Sequence, residues 1–135
     1  MTGDAVSARI LIAEDEVIIR MDLAEMLVAE GYDVIEQVGR GDLAVERTRE
    51  LAPDLCILDV KMPGLDGLAA ARIVVEEDLA AVVILTSSRV APDLKEAYEV
   101  GVNSYLCKPV EFDAFVNVVK NLGLYWLLLN EAPVA

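Results

Sequence analysis

The sequence predicts an α/β fold in which a doubly wound, five-stranded parallel sheet is covered by helices on both faces. Short, continuously apolar runs alternate five times with longer amphipathic segments, which is the pattern of strands buried on both faces. The chain has 135 residues, of which 56% are hydrophobic and 26% are charged. That size and composition suit one compact domain around a single sheet, with no low-complexity linker to divide it.

The first half of the chain opens with a strand and a strongly patterned helix. Arg9 to Ala13 (RILIA) is a buried-strand run, and the next helix extends from Glu16 to Glu30. Gly31 ends that helix. One helical face carries Ile19, Leu23, Met26 and Leu27, whereas Arg20, Asp22 and Glu25 point elsewhere. A weaker strand at Asp33–Gln37, a helix at Asp42–Leu51 before Pro53, and a strand at Leu55–Leu58 (LCIL) follow.

The second half repeats the strand–helix alternation, and each crossover is expected to be right-handed. A Pro- and Gly-rich loop separates the third strand from the next helix. The predicted elements are the loop Lys61–Gly67, the helix Leu68–Glu77, the strand Ala81–Leu85, the helix Pro92–Val100, the strand Ser104–Cys107 and the helix Glu111–Leu122.

The charge balance bears on which partners to expect. Acidic residues outnumber basic ones by 24 to 11, which gives a formal net charge of −13. This charge opposes nucleic acid and anionic membrane surfaces, so we expect no direct contact with either. The acidity serves either solubility or a cluster of carboxylates that holds a cation, and composition alone leaves both interpretations open.

Histidine and cysteine content narrows the chemistry further. Histidine is absent, which excludes most catalytic triads and most zinc sites. Cys56 and Cys107 fall on the third and fifth strands, and a strand between them would put them beyond disulfide reach, so we expect core thiols. Residues 1–7 show no apolar leader and are expected to be disordered, and no run approaches the roughly 20 apolar residues of a membrane span. We therefore expect a cytoplasmic protein.

Chemically active residues stand where four of the predicted strands end. Glu14 and Asp15 follow the first strand, Asp59 the third, Thr86 the fourth and Lys108 the fifth. These ends meet at one edge of a parallel sheet, where ligands bind. Crowded carboxylates favour a hard cation such as Mg²⁺, and Lys108 would pair with a phosphoryl oxygen. Read singly, Asp59 could be a cap, Thr86 an ordinary hydroxyl and Lys108 a surface charge.

The segments ILIAEDE, LCILDVKMPGLDG, VVILTSS and YLCKP resemble, in order and spacing, the receiver domain of two-component response regulators. The resemblance covers residues 8–121 and implies a flavodoxin-like fold with strand order 2-1-3-4-5. It implies a site for Mg²⁺, with Mn²⁺ as an accepted substitute, and a phosphoryl donor that is a sensor histidine kinase or a phosphotransfer protein. Its expected ligands are Glu14, Asp15 (the more direct of the pair), the phosphoacceptor Asp59 and the backbone carbonyl of Lys61.

The same resemblance implies a conformational switch. Thr86 and Lys108 match the family's switch pair, and the Lys108–Pro109 bond matches one that is cis in the family. Tyr105 resembles a rotameric switch residue on an output face of fourth helix, fifth strand and fifth helix; its alternative is plain packing at the sheet edge. Glu14 departs from the Asp-Asp pair of many receivers.

The C-terminal segment, residues 122–135 (LGLYWLLLNEAPVA), is apolar on all sides. We expect a homodimer that covers the last helix and this tail; packing back on the same domain is the alternative. No effector domain is expected after it. The first half is similar to antiterminator-class receivers and the tail to stand-alone regulators of phytochrome-like kinases. A single-domain regulator, a truncated chain and a recombined sequence remain open.

Two other functions compete with a phosphorylation switch. An aspartyl-phosphate hydrolase of the dehalogenase class resembles DxDxT at its nucleophile, but Asp59-Val60-Lys61 lacks the second Asp. A phosphorylation-independent adaptor usually loses the Asp, the Lys or the acidic pair, all of which are kept here. We therefore expect a receiver that assists its own phosphorylation and dephosphorylation without separate output catalysis.

Overall fold

The computed structural model describes residues 8–86 and 91–130, with side chains described outside 87–94 and up to residue 122. The expected disorder of residues 1–7 lies outside the described residues. Ten elements alternate along the described residues: β1 (Arg9–Ala13), α1 (Val17–Ala29), β2 (Asp33–Val38), α2 (Gly41–Leu51), β3 (Leu55–Asp59), α3 (Gly67–Glu76), β4 (Ala81–Thr86), α4 (Ala91–Val100), β5 (Ser104–Cys107) and α5 (Phe112–Asn130).

The five strands form one parallel sheet in the order β2-β1-β3-β4-β5. The central strand β3 aligns Ile57 with Ile12 of β1, and Asp59 with Leu85 of β4. The predicted doubly wound fold with order 2-1-3-4-5 is confirmed. Because the chain reverses its winding direction at β1, the carboxyl ends of β1 and β3 border the crevice where such folds bind ligands.

Two apolar layers sandwich the sheet, because alternate strand residues face opposite sides. Leu11, Cys56 and Leu58 face the layer that α2, α3 and α4 cover. Ile10, Ile12, Leu55 and Ile57 face the other layer, where α1 and α5 supply Leu23, Leu27, Phe115 and Val119. The central strand β3 is buried at every residue, and β1 and β4 are buried at all but their first, which explains why their sequences read as apolar runs.

Helix α1 confirms the predicted core face and shows a second apolar surface. Leu23 and Leu27 are buried, and Ile19 and Met26 pack against the same layer. The outer side is unusually apolar, since Ile18 is 82% exposed. The other large apolar side chains exposed on α1 are Val17, Met21 and Val28.

Several element ends differ from the predictions by a residue or more, and three of these differences bear on the site or the tail. Strands β3 and β4 include Asp59 and Thr86 as their last residues, so these side chains belong to the sheet itself rather than to the loops after it. Helix α5 continues to Asn130 instead of ending at Leu122. A single glycine, Gly123, costs only about 1 kcal/mol in a helix, and the Leu-rich segment after it favours helix strongly enough to continue.

The two thiols are free and lie on either side of β4. Cys56 is fully buried as predicted, with its Sγ 3.2 Å from the Thr48 hydroxyl, whereas Cys107 is only half-buried. Burial raises the pKa of the Cys56 thiol to about 11. Within the described ranges, none of the helices combines the length and apolar character needed to cross a bilayer.

Candidate functional site

The predicted residues converge at the carboxyl edge of the sheet. Glu14, Asp59 and Thr86 are buried there, with 0%, 4% and 3% exposure, and Asp15 is exposed at the rim. One carboxylate oxygen from each of Glu14, Asp15 and Asp59 lies within 4.8 Å of the other two. The strand ends thus place three negative groups within the span of a single cation.

Lys108 is the positive group of this cluster. Its Nζ lies 2.6 Å from Glu14 Oε1 and 3.1 Å from Asp59 Oδ1, and its side chain is 14% exposed. The Lys108–Pro109 bond is cis, as expected, and the Lys108 backbone N–H donates to the Thr86 carbonyl at 2.8 Å. The surface-charge interpretation of Lys108 is therefore wrong, because the ammonium group points into the acidic pocket.

The electrostatics of the pocket oppose ionisation of Asp59. Burial raises the pKa of Asp59 to about 6, and the neighbouring Glu14 carboxylate adds to that increase, with a smaller contribution from Asp15. The Lys108 ammonium works in the opposite direction but does not cancel these effects. For Lys108, burial lowers the pKa, and its contacts with Glu14 and Asp59 outweigh burial and raise it overall. The Lys108 ammonium group therefore does not balance the negative charge of the three carboxylates.

The residues fit a hard divalent cation. Glu14 Oε1 is completely buried and makes no hydrogen bond within the described part of the chain; its compensation is the ionic contact with Lys108. Three carboxylates in reach of one point are the donor set that Mg²⁺ prefers. An open groove of about 540 Å³ runs from Asp15 past Lys61 to Glu96 of α4, so solvent reaches the cluster on its Asp15 side.

The chain after Asp59 is held close against the strand. Gly67 begins α3 directly over the Asp59 carbonyl, where the Cβ of any other residue would overlap that oxygen. Its N–H donates to the Val60 carbonyl at 2.7 Å, and the Asp66 carboxylate caps α3 by accepting from Ala69 N–H at 2.8 Å. The glycine therefore sets how near α3 comes to Asp59.

Tyr105, the expected switch residue, is half-buried on β5. It packs against the core layer below α4 and makes an edge-to-face contact with Tyr98 of α4, with ring centroids 5.5 Å apart. The hydrogen bond with the Tyr98 hydroxyl raises the pKa of Tyr105. Sequence reasoning missed Tyr98, although an aromatic on the helix before β5 was a usable signal.

Sequence reasoning also assigned Arg20 a direction away from the core face and gave it no role. Its guanidinium Nη1 donates to the Glu14 carbonyl at 2.8 Å. A basic residue in the first turn after an acidic pair was the available signal, because that turn lies next to the strand end.

Together, the fold and the cluster define a class of protein: a doubly wound α/β domain that carries a crowded aspartate, an acidic pair and a lysine at its ligand-binding edge. A sequence model of the response regulator receiver domain matches residues 10–120. The chain belongs to the response regulator receiver family, which confirms the resemblance inferred from its motifs.

Two bacterial relatives support this assignment. The transcriptional regulatory protein PdtaR of Mycobacterium tuberculosis is 42% identical over 116 residues, which cover 86% of this chain and 57% of PdtaR. The chemotaxis protein CheY of Bacillus subtilis is 30% identical over 112 residues, which cover 82% of this chain and 93% of CheY. The chain thus spans just over half the length of PdtaR.

Solved structures place the fold in the same group. The REC domain of AraT, a response regulator from Geobacillus stearothermophilus, superimposes with a TM-score of 0.83 at 25% identity, over 91% of this chain and 98% of that domain. Members of the family are phosphoacceptors in two-component signalling, act with histidine kinases or phosphotransfer proteins, and generally lack catalytic output of their own. They generally bind Mg²⁺ in an acidic pocket, and this chain has a cluster of that composition.

Proposed function

We propose that this receiver accepts a phosphoryl group on Asp59 from a sensor histidine kinase or a phosphotransfer protein. The observation that carries the proposal is the placement of one buried carboxylate between two others and an ammonium group, with Lys108 Nζ 3.1 Å from Asp59 Oδ1. Such crowding disfavours the ionised carboxylate, so the pocket favours a bound cation and then a phosphoryl group.

We assign Glu14, Asp15, Asp59 and the Lys61 backbone carbonyl as ligands of Mg²⁺, with Mn²⁺ as a substitute. A cation held by these ligands would neutralise Asp59 and shield the charge on the transferring group. Asp59 then attacks the phosphorus, a P–O bond forms, and the P–N bond to the donor histidine breaks with its electron pair left on the imidazole. Lys108 moves from its carboxylate contacts to a phosphoryl oxygen.

Dephosphorylation uses the same residues. Water attacks the phosphorus of the acyl phosphate, inorganic phosphate leaves, and the Asp59 carboxylate is regenerated. The receiver assists both steps and has no separate output catalysis in our proposal. The dehalogenase alternative lacks its second aspartate, and the adaptor alternative does not explain why all the acidic and basic groups of the pocket are kept.

The signal leaves through the face formed by α4, β5 and α5. Thr86 ends β4 beside Asp59, and a phosphoryl group there would attract its hydroxyl. Tyr105 would follow by turning inward, which breaks its edge-to-face contact with Tyr98. The result is a population shift between two states of this face.

The wider setting follows from the subfamily resemblances. We place the protein in the cytoplasm, where kinase donors act, and propose no direct binding to nucleic acid or membrane. The N-terminal half is assigned to the antiterminator-like receivers and the tail to the stand-alone regulators of phytochrome-like kinases. We further propose that α5 and residues 122–135 mediate a homodimer, because the sequence there is rich in leucine, includes Trp126 and is apolar on every side.

The test of the phosphoacceptor uses acetyl phosphate and Mg²⁺, with intact-mass measurement of the acyl phosphate. The wild type gains one phosphoryl group, and Asp59→Asn gains none. Asp33→Asn, an equally conservative change at an exposed position at the opposite edge of the sheet, is the matched control and keeps full labelling. Stoichiometric labelling of Asp59→Asn would contradict the assignment.

The test of the dimer is sedimentation velocity of a chain that ends after Leu122. We expect it to sediment as a monomer while the full chain sediments as a dimer. Ile18→Ser removes the most exposed apolar side chain of α1 and serves as the control for the other apolar surface. If the shortened chain stays dimeric and Ile18→Ser dissociates it, the interface lies on α1 instead.

A further inference from the structure

We propose that Arg20 is a positioning residue of the metal site: it holds the backbone turn that carries Glu14 and Asp15, and Gly39 provides the space for its guanidinium. The inference rests on the proposed metal-dependent function. It adds Arg20 of α1 and Gly39 of the β2–α2 loop to the residues that support the proposed metal site.

The first observation is how Glu14 is held. Its N–H donates to the Val38 carbonyl at 3.0 Å, and its Oε2 accepts from Glu16 N–H at 3.0 Å. Its Oε1 faces the Lys108 ammonium at 2.6 Å, and its carbonyl accepts from Arg20 Nη1 at 2.8 Å. All four polar atoms of Glu14 are thus engaged, and the Arg20 contact is the one that fixes the peptide leading into Asp15.

The second observation is the space around that guanidinium. A Cβ at Gly39 would lie 2.9 Å from Arg20 Nη1, closer than side-chain carbons normally approach, but 3.7 Å from the Asp15 Cα and 3.9 Å from the Glu14 carbonyl oxygen. Those last two distances are ordinary contacts. Of these three atoms, only Arg20 Nη1 would have to move. Glycine at position 39 therefore leaves the space that the Arg20 guanidinium occupies.

Asp15 stands at the exposed rim, and with the chain leaving β1 in the observed direction one of its carboxylate oxygens lies within 4.8 Å of those of Glu14 and Asp59. Rotation of the Glu14–Asp15 peptide would move Asp15 away from Asp59. Groups behind metal ligands act in this way, by fixing ligand orientation before the ion binds.

The charge of Arg20 gives the proposal a sharp test, because positioning and simple electrostatics predict opposite signs. A cation beside a metal site repels the metal, so its removal alone should strengthen Mg²⁺ binding. If Arg20 positions the acidic pair, Arg20→Met instead weakens Mg²⁺ binding, on the order of tenfold. Gly39→Ala keeps the charge and displaces the guanidinium, and it should weaken binding in the same direction.

The experiment measures the dissociation constant of Mg²⁺ alone by calorimetry for the wild type, Arg20→Met, Gly39→Ala and the double variant. The two single changes are expected to be strongly non-additive, since both break one contact. Arg49→Met, which removes an exposed cation that pairs with Glu77 far from the site, is the charge control and leaves binding unchanged. For Arg20→Met and Gly39→Ala, the maximal rate of labelling by acetyl phosphate at saturating Mg²⁺ should equal that of the wild type. The Mg²⁺ concentration needed to reach half of that rate should be higher.

Each result has a defined meaning. Tighter or unchanged Mg²⁺ binding by Arg20→Met overturns the positioning role, even if its melting temperature falls. Additive effects of Arg20→Met and Gly39→Ala overturn the link between these two residues. If the wild type itself does not bind Mg²⁺, the proposed function fails, and that outcome is distinct from failure of the Arg20 inference.

Discussion

The two edges of the sheet differ in how their polar and charged groups are paired. At the amino edge, polar groups are matched: Arg9 N–H donates to Asp54 Oδ2 at 2.8 Å, and Asp54 N–H returns a bond to the Arg9 carbonyl at 2.8 Å. The Arg9 guanidinium caps the end of α2 at the Leu51 and Ala52 carbonyls. At the carboxyl edge, three carboxylates share one ammonium.

We infer from this difference that the amino edge contributes to the stability of the fold and that the carboxyl edge carries the reactive groups. Asn103 continues the matched pattern at the amino edge, since its Oδ1 accepts from Val82 N–H and its N–H donates to the Val82 carbonyl, both at 2.9 Å. Aspartates at the two edges should therefore respond to neutralisation with opposite signs.

The largest effect is expected from Asp54→Ala. It leaves the partly buried Arg9 N–H without its acceptor, so the free energy of unfolding should fall by about 1–3 kcal/mol. Urea titration measures it, and Mg²⁺ affinity should be unchanged. Asp33→Ala, at an exposed aspartate of the same edge, is the control. A loss below that of the control would show that the amino edge does not stabilise the fold in this way.

A smaller effect of opposite sign is expected from Asp59→Asn in metal-free buffer at pH 7. Because the folded-state pKa of Asp59 is raised to about 6, the ionised carboxylate destabilises the folded protein. About two pKa units correspond to about 2.7 kcal/mol in full. Solvent screening at the open side of the pocket reduces this, so the neutral substitute should raise the free energy of unfolding by about 1–2 kcal/mol, as measured by urea titration in chelator.

The pH dependence supplies the internal check on this prediction. A raised carboxyl pKa means that the folded state holds the proton longer, so stability falls as the pH rises from the unfolded value near 4 to about 6. The difference between Asp59→Asn and the wild type should vanish near pH 4 and be complete above pH 7. A gap that stays constant with pH would show that Asp59 titration is not its origin.

The smallest effect is expected from Glu77→Gln, which breaks the exposed ion pair with Arg49 between α2 and α3. The Arg49 guanidinium lowers the pKa of Glu77, yet solvent screens exposed pairs strongly. Neutralisation should shift Tm by no more than about 1 °C. A calorimetric shift as large as that of Asp54→Ala would mean that the edges of the sheet are not where stability is concentrated.

The sequence was sufficient to predict the sheet and the residues of the acidic cluster, because both depend on short local patterns in the chain. Strand ends can be read from apolar runs, and a parallel topology brings their next residues together whatever the helices do. Glu14, Asp15, Asp59, Thr86 and Lys108 were therefore predicted at one edge before any distance was known.

The contacts that support the cluster could not be read in the same way. Arg20 was placed by helical periodicity alone, which gives a direction from the axis but not the reach of a long side chain back to the Glu14 carbonyl. The space beside Gly39 and the close approach of Gly67 to Asp59 depend on how helices and loops dock. Such docking distances are set by tertiary packing, which periodicity does not encode.

The buried position of Cys56 makes its thiol a probe for local opening of the core around β3. The thiol lies three residues before Asp59 in the central strand, shielded by strands on both sides and by Thr48 above it. Reagents attack thiolates, and a buried group with a pKa of about 11 offers almost none. Modification of Cys56 therefore requires the helix layer over β3 to open, so its labelling rate measures how often the packing on the strand that holds the phosphoacceptor comes apart.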